Sequence, residues 1–184
     1  EGERGQRYRL DFHLPGQLRN LVWLPQPARA LAEGEVEVQV EASGLNFRDV
    51  MYLMGLLPDE AVEQGFAGAS LGLEFAGTVT RAGRGVRELA PGDKVMGFGP
   101  ACFASHVVTR ADAVAPLPEG WSFAAAATVP TAFFTAYYAL KHVACVQAGE
   151  RVLIHGAAGG VGIAAVQLAK HLGAEVYATA GSAE

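Results

Sequence analysis

The feature that most constrains the fold of this chain is the stretch HGAAGGVG, residues 155–162. It overlaps the end of the apolar run RVLIH, residues 151–155, which is typical of a short buried strand of a parallel sheet. A helix is predicted over residues 162–172 with a stop at Gly173, and a second strand over residues 175–180. These elements form one βαβ unit of about thirty residues.

The glycines of this loop fit a dinucleotide-binding turn. Read as GxGxxG, the loop has Ala157 in place of the first glycine, followed by Gly159 and Gly162; one register earlier, Gly156 takes the first position. The motif needs a tight turn, a residue without a side chain beside the pyrophosphate, and a small residue where helix meets strand. The helix N-terminus offers N–H groups to the pyrophosphate. Glycine-rich turns also serve packing alone, but the βαβ setting favours dinucleotide binding.

The end of the second predicted strand favours NADPH over NADH. An acidic residue there would bind the ribose 2′-hydroxyl of NADH, but the chain reads TAGS at residues 179–182. Small residues leave room for a 2′-phosphate, to which Ser182 could donate a hydrogen bond. The residues predicted to contact the cofactor here are Gly156, Ala157, Ala158, Gly159, Gly160, Val161, Gly162, Ala180, Gly181 and Ser182.

The first two thirds of the chain have a different pattern. The run EVEVQVEA, residues 35–42, alternates strictly and predicts a half-buried strand whose glutamates, Glu37 among them, face away from the valines. Further strands are predicted over residues 75–81, 94–98, 104–109 and 113–117. Short strands punctuated by glycine and proline predict a small antiparallel barrel or sandwich. The chain becomes alanine-rich past Pro118, so we place a domain boundary near Trp121.

Composition argues against several other classes of protein. The formal net charge is −5 and the charges are interspersed, so no basic stripe is present to bind nucleic acid. The uncharged residues 123–140 approach membrane-spanning length, but Pro130 and the many alanines and threonines favour a buried helix pair. Cys102 and Cys145 form no CxxC and are predicted to be buried thiols in a reducing, cytoplasmic setting, with a single disulfide as the alternative.

Five stretches together resemble one known family. They are GLNFRDVMYLMG, LGLEFAGTV, PGDKVMGF, VPTAFFTAYYAL and GERVLIHGAAGGVGIAAVQLAKHLGA, beginning at residues 44, 71, 91, 129 and 149. In this order they resemble the enoylreductase domain of modular polyketide synthases and animal-type fatty acid synthases. That family lies in the quinone-oxidoreductase-like branch of the medium-chain dehydrogenase/reductase superfamily. The resemblance implies a mixed fold: a GroES-like antiparallel β-barrel, residues 1–120, followed by the first part of an NADP-binding Rossmann domain, residues 121–184.

The resemblance implies NADPH-dependent reduction of an α,β-unsaturated thioester carried on the phosphopantetheine arm of an acyl carrier protein. The partners would be that carrier protein and neighbouring synthase domains, with no membrane or nucleic acid. Two alternatives remain: a free-standing NADPH-dependent quinone or enone reductase, and a non-catalytic structural module. The family's usual Lys and Asp candidates for proton delivery lie later than residue 184, so we expect the 184-residue chain alone to be inactive.

Two residues are expected near the nicotinamide because of the resemblance. The family's cleft contains the segment that begins at Asn46, and also the threonine that corresponds to Thr131 after Pro130. Each residue also has a structural interpretation. Asn46 can cap a helix that has Asp49 in its first turn, and Thr131 can be a buried threonine at a helix start.

Tyr52 is the titratable candidate for the proton donor. Many relatives carry a tyrosine shortly after this helix, but Leu57 occupies that place here, and a leucine has no proton to give. Tyr52 can equally be a core residue of an amphipathic helix with its hydroxyl at the rim. Arg48 and Asp49 are predicted to have structural roles near the helix start.

We predict that the protein contains no metal. Zinc-dependent relatives carry a cysteine near residues 46–48, a histidine in a GHE motif and a lobe of four close cysteines, whereas this chain reads Gly72-Leu73-Glu74 and Cys102 has no companion cysteine. A zinc site needs three or four such ligands. Elemental analysis of protein purified from zinc-supplemented culture should therefore find far less zinc than chain. Zinc in a stoichiometric amount would contradict this prediction.

Overall fold

The structure is a computed structural model that describes residues 6–181. Its contacts divide the chain into two compact units, Glu1–Thr128 and Val129–Glu184. The first unit contains strands and short helices, and the second contains a βαβ unit preceded by an apolar helix. We describe each unit separately.

The first unit is built mainly from antiparallel strands. These are β1 (Tyr8–Phe12), β2 (Leu21–Pro25), β3 (Glu35–Gly44), β4 (Glu74–Ala82), β5 (Lys94–Phe98), β6 (His106–Arg110) and β7 (Val114–Pro116). Its helices are α1 (Phe47–Leu53), α2 (Asp59–Glu63) and α3 (Phe123–Ala126), with 3₁₀ turns at Leu18–Asn20 and Ala111–Ala113. The strands β3 to β7 coincide with the five predicted strands to within a few residues at each end.

Five of these strands form one sheet in the order β6-β3-β4-β5-β7, and every neighbouring pair is antiparallel. This sheet confirms the antiparallel first part of the predicted fold class. Strands β1 and β2 form a separate hairpin, which reaches the rest of the unit through a bridge between Arg9 and Ala104. The sequence patterns do not predict this hairpin or α2, because neither has a clear apolar period.

The core of the first unit lies on one face of the sheet. Its fully buried members are Val36, Val38, Phe75, Val79, Val95, Cys102 and Val107. The valines of β3 are those that the alternating pattern assigned to the buried face. Helix α3 packs against β3 and β4, and its Ala126 is buried beside Ala76 of β4. The first unit therefore extends past Trp121 to Thr128.

Glu37 corrects the expectation that the polar face of β3 is exposed. Its side chain is only 1% exposed and forms ion pairs with Arg7 and with Arg81, which lies opposite Glu37 on β4. Arg7 Nη2 and Arg81 Nε donate to Glu37 Oε1 over 2.9 Å each, and the Thr80 hydroxyl donates to the same oxygen over 2.8 Å. Alternation cannot reveal this burial, because the covering Arg7 comes from a distant part of the chain.

The pKa of the Glu37 carboxyl reflects these contacts. Burial alone would raise this pKa, but the hydrogen bonds from Arg81, Arg7 and Thr80 outweigh burial and hold it at about 2. The carboxyl is therefore ionised at neutral pH. A carboxyl group whose pKa is lower in the folded state than in the unfolded state stabilises the fold at pH values above its unfolded-state pKa.

The second unit confirms the predicted βαβ arrangement. It contains α4 (Pro130–Tyr137), a π-helical segment (Tyr138–Val143), β8 (Arg151–Ile154), α5 (Gly160–His171) and β9 (Glu175–Ala178). Strands β8 and β9 pair in parallel, and α5 packs against α4. Helix α5 begins at Gly160, two residues earlier than predicted. Glycine has a low helix propensity, so the sequence pattern does not show that the helix starts within the glycine loop.

The apolar stretch Phe123–Val143 comprises α3, α4 and the π-helical segment. With 21 residues and a mean hydropathy of 1.3, it is long and apolar enough to cross a membrane by length and composition alone. A single stretch of this kind is a weak indication, since core helices of other proteins pass the same test. Here α3 packs on the sheet of the first unit, and α4 packs on α5 of the second.

Both cysteines are free, but only one is buried. Cys102 has no exposed surface, as predicted, and burial together with the charges of Asp49 and Glu74 raises the pKa of its thiol. Cys145 is exposed, which corrects the expectation of two buried thiols. It follows the π-helical segment, has φ of 52°, and its thiol donates to the carbonyl oxygen of His142 over 3.6 Å.

Replacing Glu37 tests the buried ion-pair cluster. Glu37→Gln removes the charge between Arg7 and Arg81 and should lower the free energy of unfolding by about 3 kcal/mol at pH 7. Urea unfolding followed by the fluorescence of Trp23 and Trp121, both in the first unit, measures this change. The matched control is Glu41→Gln on the exposed part of the same strand, which should have little effect.

The free energy of unfolding should depend on pH through the same Glu37 carboxyl. Because the folded-state pKa of Glu37 is about 2 and the ordinary value is 4.5, its stabilisation is complete above about pH 4.5. It is lost as the pH falls from there towards 2. The difference in unfolding free energy between wild type and Glu37→Gln should therefore shrink over this range. An unchanged difference would contradict the assignment.

Candidate functional site

The start of α1 is fixed by Asp49, which is only 2% exposed. One oxygen of its carboxylate accepts the backbone N–H of Asn46 over 3.0 Å, which identifies Asn46 as the N-cap. The other oxygen accepts the N–H of Gly72 over 2.9 Å. Asp49 thus ties the helix start to the segment before β4, which agrees with the structural role predicted for it.

Arg48 also has structural partners. Its guanidinium donates to the carbonyl oxygens of Gly68 and Ser70, and lies 3.9 Å from the Asp49 carboxylate. The same group stands 4.8 Å from the ring centre of Tyr52, within the range of a cation–π contact. Arg48 therefore links α1 to the loop before β4.

Tyr52 lies one turn further along α1 and is half-buried. Its ring meets Phe12 of β1 edge-on, with ring centres 5.0 Å apart. Burial, with the nearby charge of Asp11, raises the pKa of the Tyr52 hydroxyl, and Arg48 opposes this shift. The hydroxyl is therefore protonated at neutral pH but is a weaker acid than a free tyrosine. Its part in proton delivery stays a prediction.

Asn46 has a contact that the sequence patterns do not reveal. Its Nδ2 donates over 2.8 Å to Oε1 of Glu74, the first residue of β4, which is 4% exposed. The two residues are far apart in sequence, and only the antiparallel pairing of β3 with β4, which sets Gly44 opposite Glu74, brings them together. In the sequence, Glu74 stands out only as part of the motif Gly72-Leu73-Glu74, which lacks a histidine ligand.

The glycine loop of the second unit forms a tight turn between β8 and α5. Gly156 has φ of 64°, the left-handed region that favours glycine, and its carbonyl accepts the N–H of Gly159 over 3.0 Å. Gly159 is the N-cap of α5. Residues 156 and 158–161 are exposed, and Ala157 is half-buried. The N–H groups of the first helical turn have no partner within the helix, so they are available to an anion.

Gly162 explains the third glycine of the motif. It is buried, and a Cβ at this position would lie 2.3 Å from the carbonyl oxygen of Gly156 and 2.6 Å from the Cα of Ala157. Only glycine allows α5 to pass this close to the turn. Around Gly159 there is more room, since its nearest neighbour would be 3.4 Å from an added Cβ.

The end of β9 lies beside this loop. The carbonyl of Thr179 accepts the N–H of Ala157 over 2.9 Å, and its hydroxyl lies 3.1 Å from Nδ1 of His155. Ala180 and Gly181 follow and are exposed, while Ser182 lies outside the described residues. The structure therefore brings the predicted phosphate loop next to the strand end where the sequence predicts the 2′-phosphate.

Thr131 occupies the first turn of α4, directly after Pro130, and is half-buried. Its helix packs against α5, so it belongs to the same unit as the glycine loop. Among residues 6–181, no group of three or more His, Cys, Asp or Glu side chains could hold a metal ion. The metal-free character of the protein stays a prediction.

The chain matches the family model of the alcohol dehydrogenase GroES-like domain over residues 32–148. Among curated relatives, it is 48% identical over 178 residues to the pikromycin polyketide synthase component PikAII of Streptomyces venezuelae, covering 94% of this chain and 4% of that protein. It is 50% identical over 159 residues to the erythronolide synthase EryA2 of Saccharopolyspora erythraea, covering 86% of this chain and 4% of that protein. The chain is thus a small part of the length of these synthases.

Solved structures of enoyl reductases and quinone oxidoreductases are also similar to this chain. CurK enoyl reductase superimposes with a TM-score of 0.87 at 42% identity, covering 96% of this chain and 55% of that one. Escherichia coli quinone oxidoreductase complexed with NADPH superimposes with a TM-score of 0.76 at 35% identity, covering 96% and 53%. The chain therefore belongs to the alcohol dehydrogenase GroES-like domain family, within the medium-chain dehydrogenase/reductase superfamily, and its relatives are modular polyketide synthases, polyketide enoyl reductases and quinone oxidoreductases.

Proposed function

We propose that this chain is part of an enoyl reductase of a modular polyketide synthase. The reaction is reduction of an α,β-unsaturated thioester, carried on an acyl carrier protein, with NADPH as the reductant. The observation that carries the proposal is the exposed turn from Gly156 to Gly162 at the start of α5, where the buried Gly162 lets the helix pass close to the turn. The similarity to polyketide synthases and enoyl reductases supports the proposed substrate class.

The residues of the second unit fit a dinucleotide. The exposed backbone of the loop and the N–H groups at the start of α5 would hold the pyrophosphate, because the positive end of the helix dipole favours an anion. The small residues Ala180 and Gly181 leave space at the end of β9 for the adenosine ribose and its 2′-phosphate. When bound, NADPH supplies the hydride for the β-carbon of the substrate.

The first unit contributes side chains that act on the substrate. The Asn46 amide can donate a hydrogen bond to a substrate oxygen, and Tyr52 of the adjoining helix α1 is the candidate proton donor. Thr131 of the second unit is the third candidate beside the nicotinamide. No metal takes part in this proposal, because hydrogen-bond donors can stabilise the charge that forms on the substrate oxygen.

The proposed partners follow from the substrate. The carrier protein presents the acyl chain on its phosphopantetheine arm, and neighbouring domains of the synthase deliver and remove it. Polyketide synthases among the relatives support this environment. We place the reaction in the cytoplasm, which agrees with the two free cysteines.

One observation favours a second candidate. Quinone oxidoreductases also match, at 33% to 35% identity. A free-standing NADPH-dependent quinone or enone reductase would use the same loop with a different acceptor. A non-catalytic module, the third candidate, would lack NADPH binding altogether.

A comparison of two acceptors separates these candidates. The protein from the complete reading frame that encodes this chain should oxidise NADPH with a crotonyl thioester on an acyl carrier protein, and at least tenfold more slowly with a free quinone at equal concentration. NADPH absorbance at 340 nm measures both reactions. A faster rate with the quinone would support the second candidate, and no NADPH binding in equilibrium dialysis would support the third.

Gly159→Ala tests whether the loop holds the pyrophosphate. The fold has room for this Cβ, so thermal stability should stay close to that of wild type. The methyl group would meet the pyrophosphate, so the Kd for NADPH should rise at least tenfold. Gly162→Ala is the matched control, because its Cβ would strike backbone atoms and lower stability itself. An unchanged Kd in a folded Gly159→Ala variant would contradict the proposed loop function.

Binding measurements with NADPH and NADH test which dinucleotide the protein prefers. Wild type should bind NADPH more tightly than NADH, because no acidic residue occupies residues 179–181 at the end of β9. Isothermal titration with both dinucleotides gives the two Kd values. Tighter binding of NADH would contradict this part of the proposal.

A further inference from the structure

The hydrogen bond between Asn46 and Glu74 joins an exposed region of the first unit to a buried carboxylate. Asn46 is half-buried at the N-cap of α1, whereas Glu74 is 4% exposed at the start of β4. The Asn46 Nδ2 to Glu74 Oε1 distance is 2.8 Å. Transferring a carboxylate from water to the interior costs free energy, so this position requires a compensating role or partner.

The backbone around Glu74 is shaped to admit this side chain. Gly44 lies opposite Glu74 in the β3–β4 ladder, and a Cβ on Gly44 would come within 2.3 Å of Glu74 Oε1 and 2.6 Å of the carbonyl oxygen of Ala127. Any larger residue at position 44 would displace the carboxylate. The carboxylate therefore occupies a space that a glycine leaves open for it.

The Glu74 carboxylate and the capping box at the start of α1 both orient the Asn46 amide. The carboxylate oxygen Oε1 accepts a hydrogen bond, so it selects the NH₂ end of the amide and turns it towards Glu74. That NH₂ group carries a second hydrogen, which has no hydrogen-bond acceptor among residues 6–181. The second hydrogen is therefore available to a bound molecule in a defined direction.

We propose that Glu74 is a positioning residue that orients Asn46, so that the second N–H of Asn46 donates to the substrate oxygen during reduction. This inference rests on the proposed function. When a hydride bonds to the β-carbon, the electron pair of the C=C bond moves to form a bond between the α-carbon and the thioester carbon. The carbonyl electron pair then moves to the oxygen, which becomes an enolate.

A donor held in place stabilises that charge without having to reorient. The enolate then collapses as the α-carbon takes a proton from an acid or from water, and the carbonyl forms again. NADPH is oxidised to NADP⁺ in the overall reaction. The Asn46 proton is shared with the oxygen but not transferred, so the amide is unchanged at the end of the cycle.

Exchanging donor and acceptor between the two residues tests this role. Asn46→Asp places two carboxylates together, and should lower both thermal stability and kcat, the latter about 100-fold. In the double variant N46D/E74Q, the amide introduced on β4 can donate to the carboxylate introduced at the N-cap, so the hydrogen bond and the single negative charge return. Thermal stability should recover, but kcat should stay low, because a carboxylate at the N-cap has no N–H to offer to the enolate.

The single variant Glu74→Gln tests the positioning step on its own. A glutamine at position 74 presents an NH₂ group as well as an oxygen, so it holds the Asn46 NH₂ group less firmly than a carboxylate does, and kcat should fall about tenfold. The Kd for NADPH should not change. Glu41→Gln, at an exposed position of β3, is the matched control and should keep full kcat.

The outcomes distinguish this inference from the proposed function. All variants are made in the complete reading frame and assayed with the crotonyl thioester and by thermal unfolding. Recovery of both stability and kcat in N46D/E74Q would show that the pair is only structural and would overturn the inference, as would full kcat in Glu74→Gln. If the double variant does not fold, the kcat of Glu74→Gln alone decides whether the inference stands. Absence of turnover in wild type would instead contradict the proposed function.

Discussion

The antiparallel pairing of β3 with β4 is the contact on which the first unit depends. Its register sets Glu37 opposite Arg81 at one end and Gly44 opposite Glu74 at the other. One end therefore holds a buried ion-pair cluster, and the other holds the carboxylate that contacts Asn46. A shift of one residue in this register would turn each side chain to the opposite face and separate both sets of partners.

The parts of the fold that depend on local patterns could be predicted from the sequence. Alternation located β3, turn residues separated β4 to β7, and a strand, a glycine loop and a helical run located the βαβ unit. The hairpin β1–β2 cannot be predicted in this way, because its residues show no clear apolar period. Alternation places Glu37 on the polar face of β3 and cannot show its burial, since Arg7, which covers it, is distant in sequence.

The candidate site divides in the same way. The glycine loop can be predicted from the sequence, because its glycines meet local requirements of the turn and of the helix start. Gly162 is an example, since a Cβ at this position would strike the turn. The partner of Asn46 was not predictable, since a capping residue satisfies its local pattern and nothing nearby points to Glu74. Predicting contacts across a sheet requires the pairing register of its strands, and this register is set by the packing of the whole unit.

Isotope transfer from NADPH to an enoyl thioester tests whether the second unit holds NADPH for hydride transfer. NADPH deuterated at C4 of the nicotinamide, in the pro-R form and separately in the pro-S form, is incubated with the protein from the complete reading frame and a crotonyl thioester. NMR of the product should show deuterium at the β-carbon with one of the two forms, and hydrogen from solvent at the α-carbon. Deuterium at the α-carbon, or no transfer from either form, would contradict the claim.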